Sequence, residues 1–288
     1  MPIFGRTVIL DIGQAGAPGK RYSENRVAFR VEHKKGTVAS SATIQLWNPL
    51  PATTAILDAG PMPTARLLVG YGDALAPQKP TIPRQIFLGD ITKNGVQITK
   101  QGADRILTLT CKDGGRKYQT SVNLTFATPV NFAQVISAIA AQILLPIGTI
   151  PPTFAGFVLP HGGAFIGSTR KIFNRIAKAT NSEWTVRDGV LYFVPRGTPA
   201  PGLAPVFSAK RGNLIGSITK KDKGSVEVKA LIDAGLRPGG TFIVEGNSPT
   251  TGLPTTGTYI AGDVTFIGDS GFDTPFYVQT IGHLPGVT

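Results

Sequence analysis

The stretch SATIQLWNPLP, Ser41 to Pro51, decides how the first third of the chain is read. Ile44 and Leu46 point one way and Thr43, Gln45 and Trp47 the other, which is the two-residue period of a half-buried strand. Pro49 and Pro51 carry no backbone N–H, so the strand cannot run on past them. Thr53 or Thr54 then offers an N-cap for a short helix carrying Ile56 and Leu57, which Gly60-Pro61 ends. So short a helix does not hold by itself; it is expected to plug a barrel end or to cover an open sheet edge. Trp47, beside the proline turn, is expected to cap barrel residues, and both Trp47 and Trp184 are expected in a core.

Working outward, the neighbouring segments follow the same period. RVAFRVEHK alternates Val27, Phe29 and Val31 against Arg26, Arg30 and Glu32. ARLLVGYG, QIFLGDITKNG and RILTLTCKDGG are further strands, and Asn94-Gly95 is a two-residue hairpin signal. Residues 1–121 therefore read as an antiparallel β-domain, a barrel or a strongly coiled sheet.

Residues 122–211 read as a small α/β insert. Phe132, Val135, Ile136, Ile139, Ala140 and Ile143 recur at helical spacing, with Thr128-Pro129 as cap and first-turn proline. A second helix starts at the N-cap Ser168 and turns Ile172, Phe173, Ile176 and Ala177 inward, leaving Arg170, Lys171, Arg175 and Lys178 outside. EWTVRDGVLYFVPRG follows as a hairpin turning at Asp188-Gly189. The Pro-rich stretch TPAPGLAPVFSAKR re-enters β structure, and residues 212–288 are strands again, with Pro238-Gly239-Gly240 setting up one strand start. The class is mainly β with a small α/β insert: two β-barrel-like domains flanking a two-helix plus hairpin segment.

Of the 288 residues, 41% are hydrophobic and 16% charged, against about 25% charged in soluble proteins generally. Weak surface charge on a chain without an apolar run near the roughly 20 residues of a membrane span predicts burial against other subunits. MPIFGRTVIL lacks the apolar core of a secretory signal, so synthesis and folding in a reducing cytoplasm are expected. The net charge of +12 is uneven: residues 1–121 hold 16 Lys/Arg and 8 Asp/Glu, residues 122–212 hold 8 and 2, and residues 213–288 hold 5 and 7. A basic balance suits a polyanion or an acidic protein surface. The cations are scattered, however, and no basic helix carries base-reading side chains, which argues against sequence-specific nucleic-acid binding.

Candidate chemistry is sparse. Cys111 is the single cysteine and sits in strand alternation, so it reads as a buried structural thiol. His33, His161 and His283 lie in separate segments without metal-ligand spacing. No G-x-S-x-G elbow or phosphate loop is present, and GYGDAL reads as a turn after a strand. Asp90, Asp104 and Asp113 read as turn-capping carboxylates, although a glycosidase pair would use the same residue type. GDVTFIGDSGFD lacks the ligand order of a calcium loop. No catalytic, cofactor-binding or metal-ligating residue is assigned.

Taken in order, four stretches resemble the baseplate hub proteins of contractile-tailed bacteriophages, a group that includes late control proteins and the hub part of type VI secretion spikes. They are FRVEHKKGTVASSATIQLWNPLPATTAIL, ARLLVGYGD with QIFLGDI, GSTRKIFNRIAKATNSEWTVRDGVLYFVPRG, and LRPGGTFIVEG with GTYIAGDVTFIGDS. Together they cover most of the chain, and their order is more specific than any one of them. Pro49 and Pro51 flank Leu50 where many members have Asn-Leu-Ser, and the loop ALAPQKPTIPR is longer than usual.

The resemblance implies a homotrimer whose two barrels per chain make a ring of near sixfold symmetry, adapting a hexameric tail tube to a trimeric central spike around a DNA channel. It implies tube and spike partners, tape measure and baseplate wedge proteins as further neighbours, DNA passing without sequence-specific contact, no cofactor, no membrane anchor, and a place in the virion tail baseplate. Trp47, Asn48, Pro49, Leu50 and Pro51, with Arg170, Lys171, Arg175 and Lys178, are the candidate subunit or partner interface. Two other classes stay open at this stage: a cell-wall hydrolase carrying β modules, and a host-surface-binding tail module.

Overall fold

The computed structural model describes residues 5–14, 19–35, 38–58, 63–72, 82–113, 117, 119–187, 189–246, 256–271 and 274–285. The helix stop at Gly60-Pro61, the side chain of Ile56, the turn beyond Gly72 and Asp188 lie outside them.

The first β segment comprises β1 Gly5–Gly13, β2 Lys20–Tyr22, β3 Val27–His33, β4 Ser41–Trp47, helix α1 Pro51–Asp58, β5 Thr64–Gly72, β6 Arg84–Gln101 and β7 Asp104–Lys112. The insert runs β8 Ser121–Phe126, β9 Val130–Asn131, α2 Phe132–Gln142, β10 Ile147–Thr149, a 3-10 turn Pro152–Gly156, β11 Val158–Leu159, β12 Gly163–Ser168, α3 Thr169–Ala179, β13 Ser182–Arg187 and β14 Val190–Pro195. The last segment holds β15 Val206–Ser208, β16 Thr219–Lys220, β17 Val226–Ala230, β18 Thr241–Glu245, β19 Gly257–Asp269 and β20 Phe276–His283.

The mainly β class with a small helical insert stands. The two β segments share one sheet, in the order β16-β17-β20-β19-β3-β4-β7-β6-β5-β1-β2, with β18 beside β19 and β15 beside β18. Among the described residues the pairing does not close between β2 and β16, so the two barrel-like units expected from the sequence form one unclosed sheet. The join is β3 with β19: His33 faces Val264, Val31 faces Phe266 and Phe29 faces Gly268. Apolar alternation in both strands falls in register, so pairing them satisfies two edges and buries one continuous face. One core accordingly contains Val8, Ile44, Leu109, Val228, Phe266 and Val278. Gly268 is required at the join, because a Cβ there would come within 2.3 Å of the Phe29 ring.

The insert has its own core. Phe173 packs edge to face there on Trp184 at 5.1 Å and on Phe193 at 5.5 Å, while the Trp184 and Phe193 rings lie stacked at 6.5 Å. The inward faces of α2 and α3 are those the spacing predicts. The α2 cap differs: Asn131, not Thr128-Pro129, is the N-cap. Its side chain accepts from Gln134 N while the Gln134 side chain accepts from Asn131 N, a reciprocal box that satisfies two free helix donors at once. Ser168 occupies the N-cap position of α3 without a side-chain capping bond.

Two further expectations change. Asn94-Gly95 is not a hairpin turn; β6 runs through it, and its register against β7 shifts between Ile91 and Val96. Gly95 sits in that bulge, where a Cβ would stand 2.4 Å from the Thr110 carbonyl. The turn comes later, at Gly102 (φ +62°), where Gln101 pairs with Asp104. Neither Thr53 nor Thr54 caps α1. The helix begins on Pro51, where the missing N–H and fixed φ suit the first turn. Thr53 lies inside it, fully buried, with its hydroxyl against the Tyr22 hydroxyl.

Candidate functional site

The strand register places a polar surface across both β segments. Along β17-β20-β19-β3-β4-β7, the face opposite the core carries Lys229, Gln279, Thr265, Glu32, Ser41 and Lys112 in one row. The next row is Tyr277, Ile267, Arg30, Thr43 and Thr110. None of these side chains is buried. An antiparallel sheet with one face wet reads this way.

Most of the charge on this face is held internally. Arg30 Nε donates to Glu32 at 2.7 Å, and Glu227 takes Lys221 at 2.9 Å and Gln279 at 2.9 Å. The Lys229 ammonium sits 3.9 Å from the centre of the Tyr277 ring. With Lys221 and Glu227 counted, this face holds four cations against two carboxylates, so Lys112 and Lys229 leave it weakly positive on a surface otherwise of threonine, serine and glutamine.

At one end of this face stands the turn between β4 and α1. Asn48 takes a left-handed backbone (φ +51°), which asparagine tolerates better than most residues. Its side chain donates to Asp104 Oδ1 at 2.9 Å and accepts from Arg105 N at 3.0 Å. The Asn25 amide donates to the carbonyls of Trp47 and Asn48. Trp47 is a correction: it lies half-exposed on the polar face, outside the core, because its alternation partner Leu46 takes the inward place. The Arg26 guanidinium covers its ring at 4.4 Å and binds both oxygens of Asp269, at 3.1 and 2.8 Å.

Asp269 thereby ties the first β segment to the last. Burial would raise its pKa, but hydrogen bonds from Arg26 and Gly271 N outweigh that and hold the carboxyl below its ordinary value. Pro49 is buried, Leu50 is 47% exposed and Pro51 is exposed. Helix α1 lies against β1, with Leu57 on the core, so the turn covers the β1-β2 end of the sheet.

Two more surfaces stand out. Residues 96–101 of β6 pair with β7 only, since the pairing with β5 stops at Asp90. Among the described residues no strand lies along their other edge, and Val96 and Ile98 are exposed there. On the insert, Arg170, Lys171, Arg175 and Lys178 are all exposed on the outer side of α3, with the Arg175 guanidinium 5.1 Å from the Phe165 ring centre. The sequence-predicted interface residues thus fall into two groups, on two different cores, that the fold does not bring together.

Cys111 is fully buried in the sheet, and burial pushes its thiol up to about 12. His33 is buried between Phe87 and Phe266 and bonded to Ser40 and the Ile86 carbonyl. Among the described residues no three His, Cys, Asp or Glu side chains come together to hold a metal ion, and no helix is long and apolar enough to cross a membrane. Sequence reading missed the polar rows, Arg26, Asn25 and Asp269. The alternation of each strand was visible, but which strands lie side by side was not.

No protein-family model matches the chain, and no curated protein matches it. Solved structures do. A tail protein from Neisseria meningitidis superposes with a TM-score of 0.62 over 99% of this chain and 98% of that one, at 13% identity. The 43 kDa tail protein of prophage MuSo2 from Shewanella oneidensis gives 0.60 over 97% and 98%, at 11% identity. The chain has the fold of these tail proteins. An E. coli component of the type VI secretion system, described as structurally similar to the T4 tail proteins gp27 and gp5, gives 0.56 over 95% of this chain and 76% of that one, at 10% identity.

Proposed function

We propose that this chain is the structural baseplate hub of a phage tail. Three copies form a ring that adapts the hexameric tail tube to the trimeric central spike, and DNA leaves through its centre. Residues 1–121 and 212–288 supply the two ring-forming units of each copy, and the ring sits in the virion baseplate after assembly in the host cytoplasm. The tube and spike proteins are its direct partners, with tape measure and wedge proteins as further neighbours. It is not an enzyme.

The single observation that carries this reading is the polar face shared by both β segments. Arg30 and Lys221 are paired with Glu32 and Glu227, so only Lys112 and Lys229 are left to attract a passing polyanion in a salt-dependent way, and threonine, serine and glutamine make up most of the wall. A curved sheet with its apolar side packed and this side facing inward makes such a wall. The free edge at residues 96–101 of β6 supports joining of copies, because an unpaired strand edge is a template for another chain. In this reading the turn Trp47–Pro51, with Leu50 outward, lies at the seam between copies. The full-length fold likeness to two tail proteins supports the same assignment.

The test is co-expression with the tube and spike proteins of the same tail, followed by electron microscopy of the complex. The expected result is a ring of three copies between tube and spike, with Thr43 and Thr265 facing the opening. A monomer that clears cell-wall substrate would replace this reading with the hydrolase, and binding to whole host cells without other tail parts would replace it with the host-surface module.

A further inference from the structure

We infer that the outer side of α3 is a docking surface for an acidic protein other than this chain. Arg170, Lys171, Arg175 and Lys178 stand on one side of an eleven-residue helix that contains no acidic residue. Over nine residues, from Arg170 to Lys178, they form a stripe about 12 Å long.

Lys178 sits in the last turn, where the helix dipole favours a cation, and Arg175 covers the Phe165 ring, but local stability does not account for Arg170 and Lys171. Arg170 and Lys171 occupy the first turn, where the helix dipole disfavours cations. No glutamate or aspartate sits three or four residues away to pair with them on the helix. The identified ion pairs of the structure take up other cations, among them Arg21, Arg26, Arg30, Lys34, Lys35 and Arg66, and none involves the α3 stripe. Four like charges are thus kept together at a small energetic penalty that an opposing surface would reverse.

A second copy is a poor source of that surface. The chain holds 17 acids against 29 Lys/Arg, and seven of the acids, Asp11, Glu32, Glu183, Glu227, Glu245, Asp263 and Asp269, already hold an ion pair within it. The insert itself has only Glu183 and Asp188 against eight cations over residues 122–212. The occupant is therefore a different protein with clustered acids, such as a helix with carboxylates at every fourth position.

A protein also fits better than a nucleic acid. The outer face of the strand pair β8-β12, which runs directly into α3, carries Asn123, Thr125, Ala164 and Ile166 and no charge. Ile166 is 69% exposed there. The strand pair leading into α3 thus adds no charge to the stripe, and its exposed isoleucine suits contact with a protein better than contact with a polyanion. A duplex, with a charge every 1.7 Å or so, is met by a longer run of cations.

The experiment uses the full chain and two labelled probes, a polyglutamate 20-mer and a 20-base-pair DNA duplex, titrated at 50 and 200 mM salt. Two double variants are compared, Arg170→Glu with Lys171→Glu, and the remote control Lys210→Glu with Lys220→Glu, two exposed lysines outside the stripe. The first leaves Arg175 on Phe165 and places acids where the helix dipole favours them, so its melting temperature is expected to be no lower than that of the native chain. At 50 mM salt the expected result is a loss of polyglutamate affinity of at least tenfold in the first variant and less than threefold in the control. Equal losses in both variants, no loss in the first, or tighter binding of the duplex through Arg170 and Lys171 would each overturn the inference.

Discussion

Asn48 turns the chain from β4 into α1, and it does so through its backbone and its side chain together. The left-handed conformation would cost an alanine about 1–2 kcal/mol, and the bonds to Arg105 N and Asp104 would be lost as well. Asn48→Ala is therefore expected to lower stability by about 2–3 kcal/mol, whereas Asn48→Gly, which keeps the conformation, should lose roughly 1 kcal/mol. Urea midpoints of the two variants check this, and equal losses would show that the side-chain bonds alone matter. The sequence marked this position through the prolines after it, since Pro49 and Pro51 forbid the strand. It did not mark Arg26 and Asp269, whose contact with each other and with Trp47 exists only after β19 has been placed beside β3.

The helices of the insert show how far periodicity reaches. Their inward faces follow from spacing alone, because burial of one stripe is what makes a helix amphipathic. Their ends do not follow so simply. The proline at position 129 drew the α2 start three residues too early, while the pattern Asn131-Phe132-Ala133-Gln134 is itself a capping signature. Asn131→Ala should lower the stability of the insert by about 1 kcal/mol, read as faster amide hydrogen exchange across Phe132–Gln142 with the β sheet unchanged. The β6-β7 pair gives the opposite lesson. Asn94-Gly95 has the composition of a two-residue turn, yet the glycine serves close approach to the Thr110 carbonyl, and the reversal falls to Gly102. Composition identified a special backbone position there without distinguishing a bulge from a turn.

For the whole molecule, class and order of strands were readable, because alternation and turn residues are local. The merging of two β segments into one sheet was not, since pairing partners far apart in sequence leave no local trace. The join has a pH signature. Burial would raise the pKa of Asp11 and of Asp269, but hydrogen bonds from Arg21 and Arg66 to the first and from Arg26 to the second outweigh it, and both carboxyls are held below their ordinary value. The unfolded chain therefore takes up protons first as the pH falls. The stability these pairs contribute is present above the ordinary aspartate pKa of about 3.9 and is lost as the pH drops through the lower folded values. Denaturation midpoints measured from pH 6 to pH 2 should fall at the acid end, and Asp269→Asn should both lower the plateau and flatten that fall. A variant with an unchanged acid slope would show that the Asp269 pair does not govern the join.

The pairing of β3 with β19 also constrains how the protein is made. Val31 waits for Phe266, so the early strands leave the ribosome with an unsatisfied edge that stays open until β19 has been made. A prematurely terminated product would keep that edge bare and attract chaperones or proteases instead of a neighbour. Wherever copies must combine in fixed number, late closure acts as a proofreading step: only a chain translated through β19 acquires a finished wall to offer.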